Sequence, residues 1–373
     1  MSEPVRRPSP TLNHPLMGAD LRTLGTALFG NGALPPAAWP LAAALLASAL
    51  ARSPFTLAEG VYAKARRRGL PPSPPPVFIL GHWRSGTTHL FNLMSRDPRF
   101  TWVDPIASGM PNDFLLLGRL LRPVLARALP EDRYIDSIPV HLDSPQEDEI
   151  GLASMQDVSY YHAMYFPERF ESHLMAGLFH EGLDPARIAR WRAKVRDYAE
   201  RLLVTQPGAT LLIKNPVYTG LVAQMREIWP EARFVHIYRN PYVVFQSTRA
   251  FYRKLLPRFA LQPYREDMAD ELILKAYPRM LERLEADTKD LPRDRFLTLR
   301  FEDLEAAPIE TLGRIYDRLG LEGFAEVRPT FEAYVGGISG YRKNRYGFSE
   351  DLMDAVDRHW GGYVERWGYT RPS

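Results

Sequence analysis

The chain contains no cysteine. That single absence removes disulfides, thiolate nucleophiles and cysteine-bound zinc together, and a reducing cytoplasmic setting is the one it fits. The sequence also lacks an uninterrupted apolar run of the roughly 18 to 20 residues that cross a bilayer: the longest, residues 39–51, is broken by Pro40. It begins behind a Pro-rich polar stretch, too far from Met1 for an ordinary secretory leader. Excess charge is nearly absent too, with 47 Lys and Arg against 44 Asp and Glu for a net +3. So weak and dispersed a surplus makes no case for a nucleic-acid partner, although it suits an anionic small molecule.

What is present is a core. With 373 residues and 45% apolar side chains, the chain has the means for one large or two ordinary domains. Residues 1–17 hold four prolines before Leu16 and no apolar periodicity, and read as a mobile arm. Residues 18–70 turn helical, with an Ala/Leu-rich helix at 41–50 and a second at 57–68. They read as a helical cap packed on the core in preference to a membrane-surface anchor. The run PPSPPP at 71–76 is a stiff extended linker, and residues 71–373 form the main domain.

In that domain short apolar runs alternate with helical patterns, which predicts an α/β fold with a parallel sheet flanked by helices. Four runs read as strands: 77–80 (VFIL), 210–214 (TLLIK), 233–238 (RFVHIY) and 295–304 (RFLTLRFEDL). A mainly helical insertion at 112–204 separates the first two and is placed to shape an acceptor pocket.

The first run leads into GHWRSGTTH, a Gly-bounded loop at the end of a strand and the start of a helix. Such a turn aims backbone N–H groups at an anion. Gly81, Gly86 and Thr88 fit the phosphate-loop pattern G-x-x-x-x-G-K-[ST], but Thr87 stands where a nucleotide triphosphatase has Lys. Arg84 supplies a cation instead. The run at 233–238 ends in Arg239-Asn240-Pro241 where a magnesium site wants a carboxylate, and Ser247 follows Arg239 by about two helical turns. An Arg and a hydroxyl suit a second phosphate held without metal.

Together GHWRSGTTH and YRNPYVVFQS resemble the 5′-phosphosulfate loop and the 3′-phosphate strand-turn-helix of the PAPS-dependent sulfotransferases, in the bacterial branch with W-R-S-G-T-T loops. The resemblance implies a P-loop-like parallel sheet and a donor, 3′-phosphoadenosine 5′-phosphosulfate (PAPS), that leaves as adenosine 3′,5′-bisphosphate. It assigns Arg84, Ser85, Gly86, Thr87 and Thr88 to the 5′ end of the donor and Arg239 and Ser247 to the 3′-phosphate, while His89, also counted as cofactor-binding, stands where the cytosolic branch has a Trp associated with base stacking. GISGYRKNRYG, residues 336–347 without its first Gly, is similar to the family's C-terminal donor loop and brings Arg342 and Lys343 to the same phosphate. No metal is implied. Lys214, in LLIKNP, resembles the family lysine at the bridging oxygen.

The general base is less determined, because Pro216 stands where the cytosolic branch has its catalytic histidine. Burial can raise a carboxyl pKa into the useful range, so Glu147 and Glu149 in SPQEDEIGL are candidates, with Glu147 preferred. Asp104, in the turn after the first helix, is a rival, as are His82 and His141. The acceptor expected is a small or lipid-like hydroxylated molecule, with an amine as the alternative acceptor group. Two other classes stay in view: a P-loop kinase or triphosphatase, which predicts Lys at 87 and an acidic strand end, and a non-catalytic nucleotide-binding peripheral membrane protein.

Overall fold

The computed structural model describes residues 4–8, 11, 13–128, 141–338 and 347–372. Five strands form one parallel sheet: β1 (Val77–Leu80), β2 (Phe100–Thr101), β3 (Thr210–Lys214), β4 (Arg233–Tyr238) and β5 (Phe296–Arg300). Their order is β2-β3-β1-β4-β5. All four residues of β1 are buried, as a central strand covered on both faces requires, and this is why VFIL shows no polar alternation. Its register sets Ile79 beside Lys214 of β3 and beside Val235 of β4. The chain crosses from β3 to β4 on either side of β1, so the carboxyl ends of these three strands meet at the point where the winding reverses, the usual place for a ligand in such sheets.

By its contacts the chain divides into two compact units. The whole sheet belongs to the unit made of Pro75–Thr101, Thr210–Ala250 and Ala269–Ser373. Its core stacks Phe78 on Phe234 and Tyr277 on Trp360, whose indole N–H donates to the Leu274 carbonyl at 2.9 Å. The last helix, Glu350–Arg366, is capped by Ser349 as its sequence indicates.

The other unit, Met1–Pro74, Trp102–Ala209 and Phe251–Met268, is mainly helical. Here the structure departs from the two helices read at 41–50 and 57–68. A single helix, Trp39–Arg67, runs through Pro54. Tertiary anchors on both sides of the proline hold it together. Arg52 binds the Asp113 carboxylate and the carbonyls of Met17 and Ala19, and Glu59 accepts from the Leu116 amide at 2.8 Å. By length and composition Pro36–Arg67 reaches what a membrane crossing needs, which the broken run 39–51 does not. Two smaller differences concern the sheet. β2 is only two residues long, too short to show any pattern, and β5 ends at Arg300 because the chain turns there into the helix Phe301–Ala306.

Candidate active site

Gly81 follows β1 and opens the loop. Its φ is 144°, and its amide donates to the Thr219 hydroxyl at 2.8 Å, tying the loop to the turn Pro216–Gly220 that follows β3. A Cβ on Gly81 would lie 2.4 Å from the Ile237 carbonyl oxygen, so the backbone is free to pack there only because no side chain exists. Arg84 takes a positive φ of 70°, a conformation that costs an ordinary residue on the order of 1–2 kcal/mol. Gly86, at φ 100°, precedes the helix Thr87–Met94, and a Cβ on it would meet the Phe301 ring at 2.1 Å. Thr87 is thus the first helical residue and buried, while Thr88 and His89 follow in the first turn with the His89 ring edge-on to Phe301.

The loop converges on charge. Arg84 donates from Nε to the Ser247 hydroxyl at 2.8 Å. Ser247 is buried in the helix Pro241–Phe259, whose start is fixed by Asn240 accepting from the Tyr242 amide. Arg239, at the end of β4, reaches the Arg84 carbonyl at 3.4 Å and lays its guanidinium 4.4 Å over the Phe301 ring. Spacing joined Ser247 to Arg239; the contact shown is from Arg84 to Ser247, with Arg239 reaching the Arg84 carbonyl. Lys214 is buried at the end of β3, and Asn215 after it caps the next turn by accepting from the Val217 amide.

One group in the loop is left over. The Ser85 hydroxyl is buried and has no hydrogen-bonding partner among the described residues. A buried hydroxyl without a partner costs free energy that an oxyanion would return. Two guanidinium groups, a helix start, the amides of a Gly-bounded turn and this hydroxyl are a donor set matched to phosphate-type oxygens.

The carboxylates named from the sequence lie in the helical unit. Val103 and Gln146 pair as an antiparallel bridge, which sets the turn of Asp104 beside the turn of Glu147. Asp104 caps the helix Pro105–Gly109 through the Ala107 amide at 2.7 Å and stands 3.6 Å from Arg122, and burial raises its pKa. Glu147 precedes the helix Asp148–Leu152 without a side-chain cap bond. Glu149 is buried, and one of its oxygens accepts from the Ser159 hydroxyl at 2.7 Å and the Tyr160 amide at 3.0 Å. His82 packs against Tyr277 and Trp360, and burial lowers its pKa to about 4, the environment of a neutral core histidine. His141 is exposed. Arg342 and Lys343 lie outside the described residues.

Phe301 and Thr219 were not foreseen. Phe301 fills the space under Gly86 and carries Arg239, and Thr219 holds the Gly81 amide. Neither sits in a recognisable motif; only proximity in the folded chain reveals them.

Residues 75–326, more than half of the chain, match the model of the Sulfotransferase family. A curated relative, the omega-hydroxy-beta-dihydromenaquinone-9 sulfotransferase Stf3 of Mycobacterium bovis, is 31% identical over 300 residues, which are 80% of this chain and 76% of that protein. Among solved structures, sulfotransferase STF9 of Mycobacterium avium superposes with a TM-score of 0.65 at 15% identity, covering 95% of this chain and 97% of that one. STF1 of Mycobacterium tuberculosis H37Rv gives 0.57 at 17% identity over 91% and 90%. These two show the shared fold, and the family match and the curated relative show the rest: the chain belongs to the sulfotransferase family and is a transferase of sulfuryl groups.

Proposed function

We propose that the chain transfers a sulfuryl group from PAPS to the hydroxyl of a lipid-like acceptor, without a metal. The observation that carries the donor half is the Arg84–Ser247 contact with Arg239 beside it and the unpartnered Ser85 hydroxyl within the same loop. In this reading the loop from Arg84 to His89 holds the 5′-phosphosulfate, and Arg239 and Ser247 hold the 3′-phosphate, with Arg342 and Lys343 assigned to the same phosphate by sequence resemblance. When bound, the donor supplies the sulfuryl group and an adenosine 3′,5′-bisphosphate leaving group. Lys214 supplies a fixed positive charge for the leaving oxygen, where stabilisation of developing charge contributes most. Glu147 takes the acceptor proton, with Asp104 and Glu149 as the other carboxylates to compare.

The acceptor class comes from the Mycobacterium bovis relative, whose name specifies an omega-hydroxylated dihydromenaquinone. A hydroxyl at the end of an apolar molecule is the common chemistry. The domain reading of an arm at 1–17, a cap at 18–70 and a catalytic region at 71–373 is retained as part of the proposal.

The test is transfer of labelled sulfate from PAPS, in chelator, to a long-chain prenyl alcohol or hydroxylated quinone in detergent and to a short water-soluble alcohol or phenol. Product from the long-chain acceptor in excess over the short one is expected. Phosphoryl transfer from ATP with no product from PAPS would overturn the donor assignment, product only after adding magnesium would overturn the metal assignment, and preference for the short acceptor would overturn the acceptor class.

A further inference from the structure

The helix Trp39–Arg67 is about 43 Å long at 1.5 Å per residue, and its outward side is unlike that of an ordinary surface helix. Between Trp39 and Val61 it carries two charged residues, Arg52 and Glu59, and both are buried. Every exposed position in that stretch is apolar. Leu50, Leu57 and Val61 are 66%, 74% and 73% exposed and recur at i, i+7 and i+11, which puts them on one stripe with the exposed Pro54 between them. Trp39, half exposed, begins the stripe, and Lys64, Arg66 and Arg68 are exposed at its end. A large apolar patch of this kind on a folded unit marks a surface that meets something.

A second helix of the same unit repeats the pattern. Arg119–Ala128 exposes Leu120 and Val124 with Arg119 and Arg127, and it starts three residues after Leu116, whose amide Glu59 holds. Neither helix exposes an acidic residue.

We propose that this face of the helical unit docks in the plane of an anionic lipid bilayer, with the apolar stripe in the acyl boundary and the Lys64–Arg66–Arg68 end on the headgroups. Charge of one sign at one end of an apolar stripe is complementary to an anionic lipid surface. An aromatic residue at the other end suits the interface. The helix lies on the membrane and does not cross it, because Arg52 and Glu59 pin its opposite side to Asp113 and Leu116. Crossing would strip both charged side chains of those partners, at a cost that no gain on the exposed stripe matches. The proposal deepens the acceptor reading above, since it brings the enzyme to the phase in which a hydroxylated lipid resides.

The experiment is co-sedimentation of the full chain with phosphatidylcholine vesicles, with and without phosphatidylglycerol, in the absence of donor and acceptor, so that its failure is separate from failure of the sulfotransfer reading. Binding to the anionic vesicles and a blue-shifted Trp39 emission, lost in Trp39→Phe, are expected. Leu57→Glu with Val61→Glu should lower partitioning by about tenfold or more at unchanged melting temperature, since two inserted apolar groups become charged. Lys64→Glu with Arg66→Glu should erase the preference for anionic vesicles and keep the weaker apolar binding. No sedimentation with either vesicle overturns the proposal, as does wild-type binding by the Leu57→Glu/Val61→Glu chain. A dimer in light scattering that this double variant splits, without vesicle binding, would make the occupant a second copy, and vesicle retention through an alkaline wash would make the helix a spanning one.

Discussion

Arg84 and Ser247 are 163 residues apart in the chain and 2.8 Å apart in the fold, the guanidinium Nε donating to the hydroxyl oxygen. The contact couples the loop after β1 to the helix after β4, and it does so from a residue whose backbone is held at φ 70°. Strain in a loop of this kind persists only where surrounding contacts over-determine it. Ser247 and the Arg239 guanidinium at the Arg84 carbonyl are two of those contacts. The arrangement therefore brings two guanidinium-bearing residues together at the loop.

The first prediction is that both ends of this pair are felt in nucleotide affinity. Arg239→Ala should weaken adenosine 3′,5′-bisphosphate binding by roughly 1.5–3 kcal/mol, the range for a hydrogen bond to a charged group, and Ser247→Ala by about 1 kcal/mol. Titration calorimetry in chelator reads both. Unchanged affinity in Arg239→Ala would remove the residue from the donor site.

Gly86 offers a test of the loop itself. At φ 100° with the Phe301 ring where its Cβ would go, Gly86→Ala combines backbone strain with a clash. The expected loss is about 1–3 kcal/mol of stability. Phe301→Ala in the same chain should return part of it by clearing the space, while the φ penalty remains. A double-mutant cycle measures the coupling, and simple additivity of the two losses would show that Phe301 is not what Gly86 makes room for.

How much of this could be read from the chain follows from where each signal lives. β1 and its loop are local: VFIL, two glycines and two threonines fall within residues 77–88, so the strand and the Gly-bounded turn into a helix were legible. Ser349 as a helix cap was legible for the same reason. The helix Trp39–Arg67 was not, because Pro54 breaks a helix by local rules and the anchors that override it come from Asp113 and Leu116, far along the chain. Exposure of its outer stripe was likewise invisible, since composition does not say which apolar face is covered. Phe301 beneath Gly86, and Thr219 on the Gly81 amide, are long-range packing facts with no sequence signature.

Stability should fall on acidification through the buried histidines. Burial lowers the pKa of His236 from 6.5 to about 3, so the unfolded chain binds a proton below 6.5 that the folded chain refuses. The contribution is fully present above 6.5 and is lost as pH falls towards about 3. His82, lowered to about 4, acts in the same sense. Glu59 opposes them: burial raises its pKa from 4.5 to about 7, so what it contributes is present below 4.5 and lost as pH rises to about 7. Denaturant unfolding between pH 4 and 7 should therefore show a shallower slope for His236→Gln than for wild type, by up to ~1.4 kcal/mol per pH unit. Glu59→Gln should steepen the net loss on acidification between 4.5 and 7. Equal slopes in His236→Gln and wild type would mean that the ring takes up its proton equally in the folded and unfolded chains.

Lys214 should separate binding from chemistry. Lys214 is buried at the end of β3, and in the proposed role it would stabilise charge on the leaving oxygen in the transition state more than in the bound ground state. Lys214→Met is expected to lower kcat by about 10²–10³ while adenosine 3′,5′-bisphosphate affinity changes far less. A loss confined to donor affinity would make Lys214 a binding residue instead.

The last prediction ranks the carboxylates, and the structure makes the substitutions unusually clean. Asp104→Asn keeps an oxygen for the Ala107 amide, and Asn caps a helix as well as Asp, so stability should hold to within a few tenths of a kcal/mol while the charge is gone. Glu149→Gln keeps one oxygen for Ser159 and Tyr160. Glu147 carries no cap bond, so Glu147→Gln removes its charge without unmaking a helix start. The base is the residue whose variant loses kcat by about 10²–10⁴ and also loses the acidic limb of the pH–rate profile. Glu147 is expected to be that residue. If Asp104→Asn shows the loss instead, the carboxyl already shifted upward by burial is the base. Wild-type profiles in all three would take the proton from the acceptor by a route that none of these carboxylates supplies.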